Sequence, residues 1–411
     1  MIDPRTQDFR FAHGLRALAA VYVAAFHLFL GIPDYNSWPR WIELSTRWLR
    51  HGNVAVGLFL ALSGFLLMAP IVAARGRIAG GATGFYMRRA RRILPPYYAA
   101  YALFLVCWQV YYAVIMMVKG PGGGMALSPY ARLCLDQSYR FDNIVAHLLL
   151  IHPFRPAWSN CPNAIFWTIG VEWHVYLVFP IILVPIWRLA GPVAVLVATY
   201  AVGLWPVYGA AGVEYMFPWI PGTFAWGMLA ATLAVSPNAP YRELRERLPW
   251  GAISVTVFAM LVWLVRLSPG YYVGATAKQQ WPIDAWAGAA SCVLLVALSE
   301  AQRRRAAGGA GARWPMARLA EVLSHPVLAV VAAFSYSLYL THGVVVMVLA
   351  RIMAVLGLRP AAAALLMLGA GLPLALAFGW VFHLAFERPF AKSRRPKPSL
   401  APGPTLPDPA P

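Results

Sequence analysis

Carboxylates are scarce in this sequence. Only 15 of its 411 residues are Asp or Glu, and charged residues of both signs make up 12%, where a soluble globular chain carries about 25%. Together with 60% hydrophobic residues, that shortage excludes an acidic disordered chain and an ordinary soluble domain. The four cysteines are too few for a disulfide framework. No two histidines stand four apart with an acid between them, the spacing of a helical zinc site, so no metal and no permanently bound cofactor is expected. No repeat with a period of 20 to 50 residues is found, which argues against a solenoid.

What the chain does have is long apolar runs, each near the roughly 20 residues that cross a hydrocarbon core. Ten helical spans are expected, at about 13–33, 53–74, 95–118, 163–187, 191–208, 217–235, 250–267, 283–300, 326–350 and 361–386. The fold class is therefore all-α, a polytopic bundle, with residues 1–390 as one membrane domain and the Pro-rich 391–411 as a disordered tail. Lys and Arg outnumber the acids 34 to 15. In a soluble protein that excess would suggest a nucleic-acid partner; here the basic residues concentrate at 5–16, 75–92, 242–247, 303–318 and 388–397. All these segments fall on one side if both termini are cytoplasmic, as the positive-inside rule requires, so the bilayer is the expected partner and nucleic acid is not. The expected location is the cell (inner) membrane. The first span has no small-residue cleavage site before or after it and is expected to be retained.

Ionisable side chains at bilayer depth are costly, by at least about 2.5 to 3.5 kcal/mol on insertion scales, and mark function. In "HGLRALAAVYVAAFH" Arg16 and His27 are separated by ten residues, about 16 Å along one helix. Glu172, in "FWTIGVEWHVYLVFP", enters from the opposite face and is expected to meet His27, fixing its tautomer so that it acts as a general base. "RRARRILPPYY" supplies Arg88, Arg89, Arg91 and Arg92 just ahead of Pro95 and Pro96. The prolines suit the first turn of a helix. The arginines suit either anionic lipid or the phosphates of a cytoplasmic ligand. "FLALSGFLL" puts Ser63 at middle depth, and "FSYSLYLTH" adds Ser335, Tyr336, Tyr339 and His342; Ser63, Tyr339 and His342 are candidate substrate contacts. His174 and His383 are expected to pack or to face headgroups. Cys107 and Cys292 fall within spans as packing residues. Cys134 and Cys161 share the long outer loop expected at about 119–162, where an oxidising compartment would allow a disulfide between them, two free thiols being the alternative.

Taken in order, these stretches resemble the acyltransferase-3 family of integral membrane acyltransferases over about residues 9–390. The Arg16 and His27 pair looks like its first-span signature, Ser63-Gly64-Phe65 its second-span motif, Arg89 and Arg92 its basic loop, and Glu172 the acid of its Trp-Ser-Leu-Ser-Val-Glu-Trp pattern. "FERPF", with Glu387, is similar to its closing motif. The sequence departs at Thr168-Ile169-Gly170, where Ser-Leu-Ser is common, and at His174, where Gln is frequent. The resemblance implies transfer of an acyl group, usually acetyl, from cytoplasmic acyl-CoA (acetyl-CoA) to a hydroxyl. The acceptor it implies is a cell-surface glycan or lipid-linked sugar, or alternatively a secondary metabolite such as a macrolide. Arg16, Arg89 and Arg92 would then bind the donor, and His27 and Glu172 would be catalytic, His27 as the general base or, alternatively, as a covalent carrier of the acyl group. A proton-coupled secondary transporter is the alternative from another class.

Overall fold

A lipid-facing backbone must satisfy its own N–H and C=O groups, so apolar runs of this length become helices. The computed structural model describes residues 9–32, 38–119, 129–209, 217–267, 276–307 and 315–391; the Pro-rich tail from 392 lies outside them. No strand occurs among the described residues. Eight helical segments there are long and apolar enough to cross a membrane. One of these, Ala164–Gly209, holds two of the expected spans, joined at Gly191 with φ 85°, a backbone conformation that only glycine adopts freely. The expected span 217–235 is a helix of only 15 residues, Pro221–Val235, and the expected 326–350 is broken between Pro326–Ala333 and Ser335–Leu356.

The helices that build the site are α1 (Arg10–Leu30), α2 (Gly52–Ala73), α3 (Gly81–Lys119), α4 (Phe141–Leu148), α5 (Trp167–Val178), α6 (Pro221–Val235), α7 (Ala277–Ala306), α8 (Ser335–Leu356) and α9 (Gly371–Phe382). Helix α2 is central and packs against α1, α6 and α7. Its contact with α6 is a backbone approach in both directions: a Cβ on Gly64 would lie 2.1 Å from the Phe224 carbonyl oxygen, and one on Gly227 would lie 1.9 Å from that of Ala61. Small residues are what allow membrane helices to come this close. Phe65, beside Gly64, is fully buried.

Two sequence expectations are corrected here. Pro95 and Pro96 do not start a helix; they lie inside α3, which begins at Gly81 and runs 39 residues, because the basic segment before them is itself helical. The segment 119–162 is more than a loop. Its described part forms Pro129–Gln137, α4 and further short turns that are fastened along α3. Trp108 Nε1 donates to Pro162 O at 2.8 Å, Tyr139 to Leu105 O at 2.5 Å, and Tyr98 to Leu148 O at 2.6 Å. Cys134 and Cys161 are joined by a disulfide. Beneath it the rings of His147 and His152 stack at 4.2 Å. Each ring has Nε2 against backbone carbonyl oxygen, Cys161 O at 2.8 Å and Phe166 O at 2.9 Å. Those nitrogens therefore carry hydrogen, and the Tyr97 hydroxyl sits 2.9 Å from the remaining Nδ1 of His147.

Candidate active site

Between α1, α2, α3, α5 and α8 lies a chamber of about 90 Å³ whose lining includes Arg16, Arg89, Arg92, Ser63, Glu172 and Tyr176. It brings together side chains from five helices spread over more than a hundred residues of sequence. Three guanidiniums face one carboxylate. None of Arg16, Arg89 and Arg92 makes a hydrogen bond among the described residues, and Arg89 Nε is buried with no partner. The Arg89 guanidinium instead sits over aromatic faces, 5.9 Å from the Phe85 ring and 6.0 Å from that of Tyr176. Both distances are at the limit of a cation–π contact. Arg88 is turned away, donating to Ala79 O at 2.7 Å; Arg91 and Arg92 are both exposed, and of the two only Arg92 lines the chamber.

Glu172 belongs to this chamber. Its Oε1 accepts from Ser63 at 2.8 Å and from Tyr176, one turn further along α5, and it lies within electrostatic reach of Arg16 and Arg89. The expected pairing of Glu172 with His27 does not form. The carboxylate shares a level with Arg16, eleven residues below His27 on α1, and the Ser63 and Tyr176 hydroxyls satisfy it there.

The partner of His27 is His342. Nδ1 of His342 lies 2.9 Å from Leu338 O, an acceptor, so that nitrogen carries the hydrogen and Nε2 keeps its lone pair. This Nε2 faces Nδ1 of His27 at 3.1 Å. Nδ1 of His27 is therefore the donor, shared with Val23 O at 3.0 Å. The consequence is specific: the neutral His27 ring is left with its lone pair on Nε2, and no described group occupies it. An imidazole held in one tautomer with an open nitrogen is what a general base requires.

Helix α8 links the two centres. Tyr336 and Tyr339, three apart, both line the chamber. Tyr336 donates to Ile93 O at 3.1 Å, and the Tyr339 hydroxyl sits 2.6 Å from that of Thr168. One turn on, the ring of His342 lies 5.8 Å from that of Tyr339. The start of α8 is held by Glu387, whose Oε2 accepts from the Ser337 hydroxyl at 2.6 Å and backbone N–H at 3.3 Å. A buried carboxylate at the first turn of a helix satisfies an orphan donor and opposes the helix dipole.

The sequence model of the acyltransferase-3 family, described as an acyltransferase domain, matches residues 9–384. The chain belongs to the acyltransferase-3 family. It is a multi-pass membrane acyltransferase. No curated protein and no solved structure matched.

Several residues of this acyltransferase were beyond sequence reasoning. Tyr176 carries a detectable signal, standing four residues after Glu172 and so on the same helix face. The bond from Thr168 to Tyr339 joins residues 171 apart in sequence, and nothing in the motif containing Thr168 pointed to it. His174 and His383 act locally. His174 Nδ1 lies 2.6 Å from Gly170 O, and His383 Nδ1 lies 2.8 Å from the capping carboxylate of Glu387. Cys107 is half-buried and Cys292 buried, both as free thiols.

Proposed function

We propose that this acyltransferase moves an acyl group, acetyl, from cytoplasmic acyl-CoA to a hydroxyl of a cell-surface glycan or lipid-linked sugar at the opposite face of the cell membrane. The observation that carries the reading is the chamber with three guanidiniums and one carboxylate, in which those guanidiniums make no hydrogen bond among the described residues. Arg16 and Arg89 are half-buried and Arg92 is exposed where it lines the chamber; a cluster of cations without hydrogen-bonded partners among the described residues calls for an anionic ligand, and guanidiniums match phosphate oxygens in charge and geometry.

Arg16, Arg89 and Arg92 hold the phosphates of the donor. The extended pantetheine arm then carries the thioester along α1 and α8 toward His27. Nε2 of His27 takes the proton of the acceptor hydroxyl as its oxygen attacks the thioester carbonyl carbon. The carbon–sulfur bond breaks, and the thiolate leaves to take up a proton as CoA. As His27 becomes cationic, its Nδ1–H bond to His342 gains charge assistance, which stabilises the step where charge develops. Glu172 fixes Ser63 and Tyr176 and offsets part of the positive charge while the chamber is empty.

The test is a donor titration in membranes. Labelled acetyl-CoA should be consumed with release of free CoA and labelling of an acceptor. Arg89→Ala with Arg92→Ala removes two charge-assisted contacts worth about 1.5–3 kcal/mol each. The donor KM should therefore rise at least about a hundredfold, with insertion unchanged. An intact thioester throughout would point to transport instead, and a double variant with unchanged KM would remove these arginines from donor binding.

A further inference from the structure

On the other face of α5 lies a larger cavity of about 390 Å³, within the range of ligand sites. Thr168, Glu172 and Tyr176 of that helix line the donor chamber, whereas Val171, His174, Val175 and Val178 line this groove. The second arm of the segment joined at Gly191 supplies the facing wall, with Ala198 and Val202. The first arm carries a π-turn over Phe179–Leu183 that contains Pro180, whose missing N–H interrupts the regular ladder. Ile182 and Val202 line the groove and are 45% and 75% exposed. It therefore opens sideways, and beside membrane-crossing arms the surroundings are hydrocarbon. From Val171 to Ile186 it follows fifteen residues of chain, about 22 Å of helix. Half the hydrocarbon core is only about 15 Å, so an occupant filling this length passes the bilayer midplane.

No charged side chain lines the groove among the described residues, and its two polar side chains are His174 and Thr199. Thr199 spends its hydroxyl on Val195 O and Leu196 O, both at 2.9 Å. His174 donates from Nδ1 to Gly170 O at 2.6 Å, which leaves the lone pair of Nε2 open. The Phe154 ring stands edge-on to it at 4.9 Å, and Pro153 and Pro218 complete this mouth. Arg155, next in the chain, is exposed, with its guanidinium over the Trp158 ring at 4.9 Å.

We propose that this groove holds the hydrocarbon tail of the acceptor, a long-chain polyprenyl lipid with a phosphate-linked sugar, and that its head lies at the His174 mouth. This rests on the acyl-transfer reading above and narrows its acceptor to the lipid-linked class. The tail enters sideways from the bilayer. A slot of about 22 Å crossing the midplane suits a chain longer than one leaflet, and a soluble glycan has nothing apolar with which to fill it. The open Nε2 of His174 accepts from a head-group hydroxyl, and Arg155 places a cation at the level of the mouth for the phosphate. Holding the tail concentrates the sugar beside the helix whose opposite face lines the donor chamber. The groove residues bind and position; proton transfer stays with His27.

The experiment uses the full chain in phosphatidylcholine nanodiscs, with a long-chain glucosyl polyprenyl phosphate that bears a photoactivated diazirine at its tail end. Cross-links are mapped by mass spectrometry. They should concentrate near Ile186 and Ala198 and survive excess phosphatidylglycerol. Ala198→Trp and Val202→Trp fill the groove and should each cut this labelling at least about tenfold, since displacing even two methylenes from an apolar site costs that much. Val197→Trp, on the same helix and 62% exposed but outside the lining, should leave it unchanged. In native membranes given labelled acetyl-CoA, label should appear in the lipid extract and fall in parallel in the two filling variants, with the KM for acetyl-CoA unaltered. Cross-links scattered over the lipid-facing helices, displaced by phosphatidylglycerol, or retained in both filling variants overturn the tail site. Acetyl label confined to water-soluble products overturns the lipid-linked acceptor, whatever the cross-links show. Wild-type protein that releases no CoA overturns the donor reading instead, a result the cross-links do not share.

Discussion

Replacing His342 with alanine distinguishes the two imidazoles. The tautomer of His27 has two supports, Val23 O at 3.0 Å and His342 Nε2 at 3.1 Å. His342→Ala removes one of them and leaves the open lone pair on Nε2. What is lost is the strengthening of the bond when His27 becomes cationic, from about 0.5–1.5 kcal/mol for a neutral hydrogen bond to about 1.5–3 kcal/mol for a charged one. The difference, about 1–2 kcal/mol, corresponds to a fall in kcat of roughly 5- to 30-fold. Loss of the base itself in His27→Ala costs about 10²–10⁴, and the double variant should match His27→Ala alone. The assay is initial-rate release of CoA from acetyl-CoA in membranes with matched amounts of inserted protein. A His342→Ala variant that loses nearly all activity, beside a His27→Ala variant that retains most of its rate, would make His342 the base and refute the assignment.

Two further outcomes concern stability. Gly227→Ala places a methyl 1.9 Å from Ala61 O, a backbone atom with no rotamer to yield. The overpacking should cost at least about 1–3 kcal/mol and lower the thermal midpoint of the purified protein, and an unchanged midpoint would show that α2 and α6 part easily. Acid should loosen the segment fastened along α3, because burial pushes the His147 imidazole down from 6.5 to about 4. Above pH 6.5 the ring is neutral whether folded or unfolded. Between about 6.5 and 4 only the unfolded chain takes the proton, so stability falls as pH falls, by up to about 3 kcal/mol. Burial lowers the stacked His152 in the same direction. Thermal unfolding scans at pH 7, 5.5 and 4.5 check this, a flat profile being the contrary result.

The apolar runs determined the class and most of the spans directly, since hydrocarbon thickness leaves a chain few other choices. The boundaries that moved did so for local reasons. The arginines before Pro95 are good helix formers, and nothing at Gly81 in the sequence distinguishes a start there from one at the prolines. The site was legible as a set of residue types and illegible as a set of pairs. Arg16, Arg89, Arg92 and Glu172 converge on one chamber, but Glu172 is satisfied by Ser63 and Tyr176 rather than by His27. Depth along a helix can be counted from a sequence; rotation about its axis and the identity of the facing helix cannot. His342 was visible as a polar residue on an apolar helix, yet its acceptor nitrogen emerges only from the carbonyl of Leu338 on its other side.

Glu387 sits near the end of the described chain and grips the first turn of the helix that carries Tyr339 and His342. The hydroxyl and backbone N–H of Ser337 gain this acceptor only from a residue 50 positions later in the chain, so the orientation of α8, and with it the placement of both side chains, depends on the turn that follows α9 docking beside it.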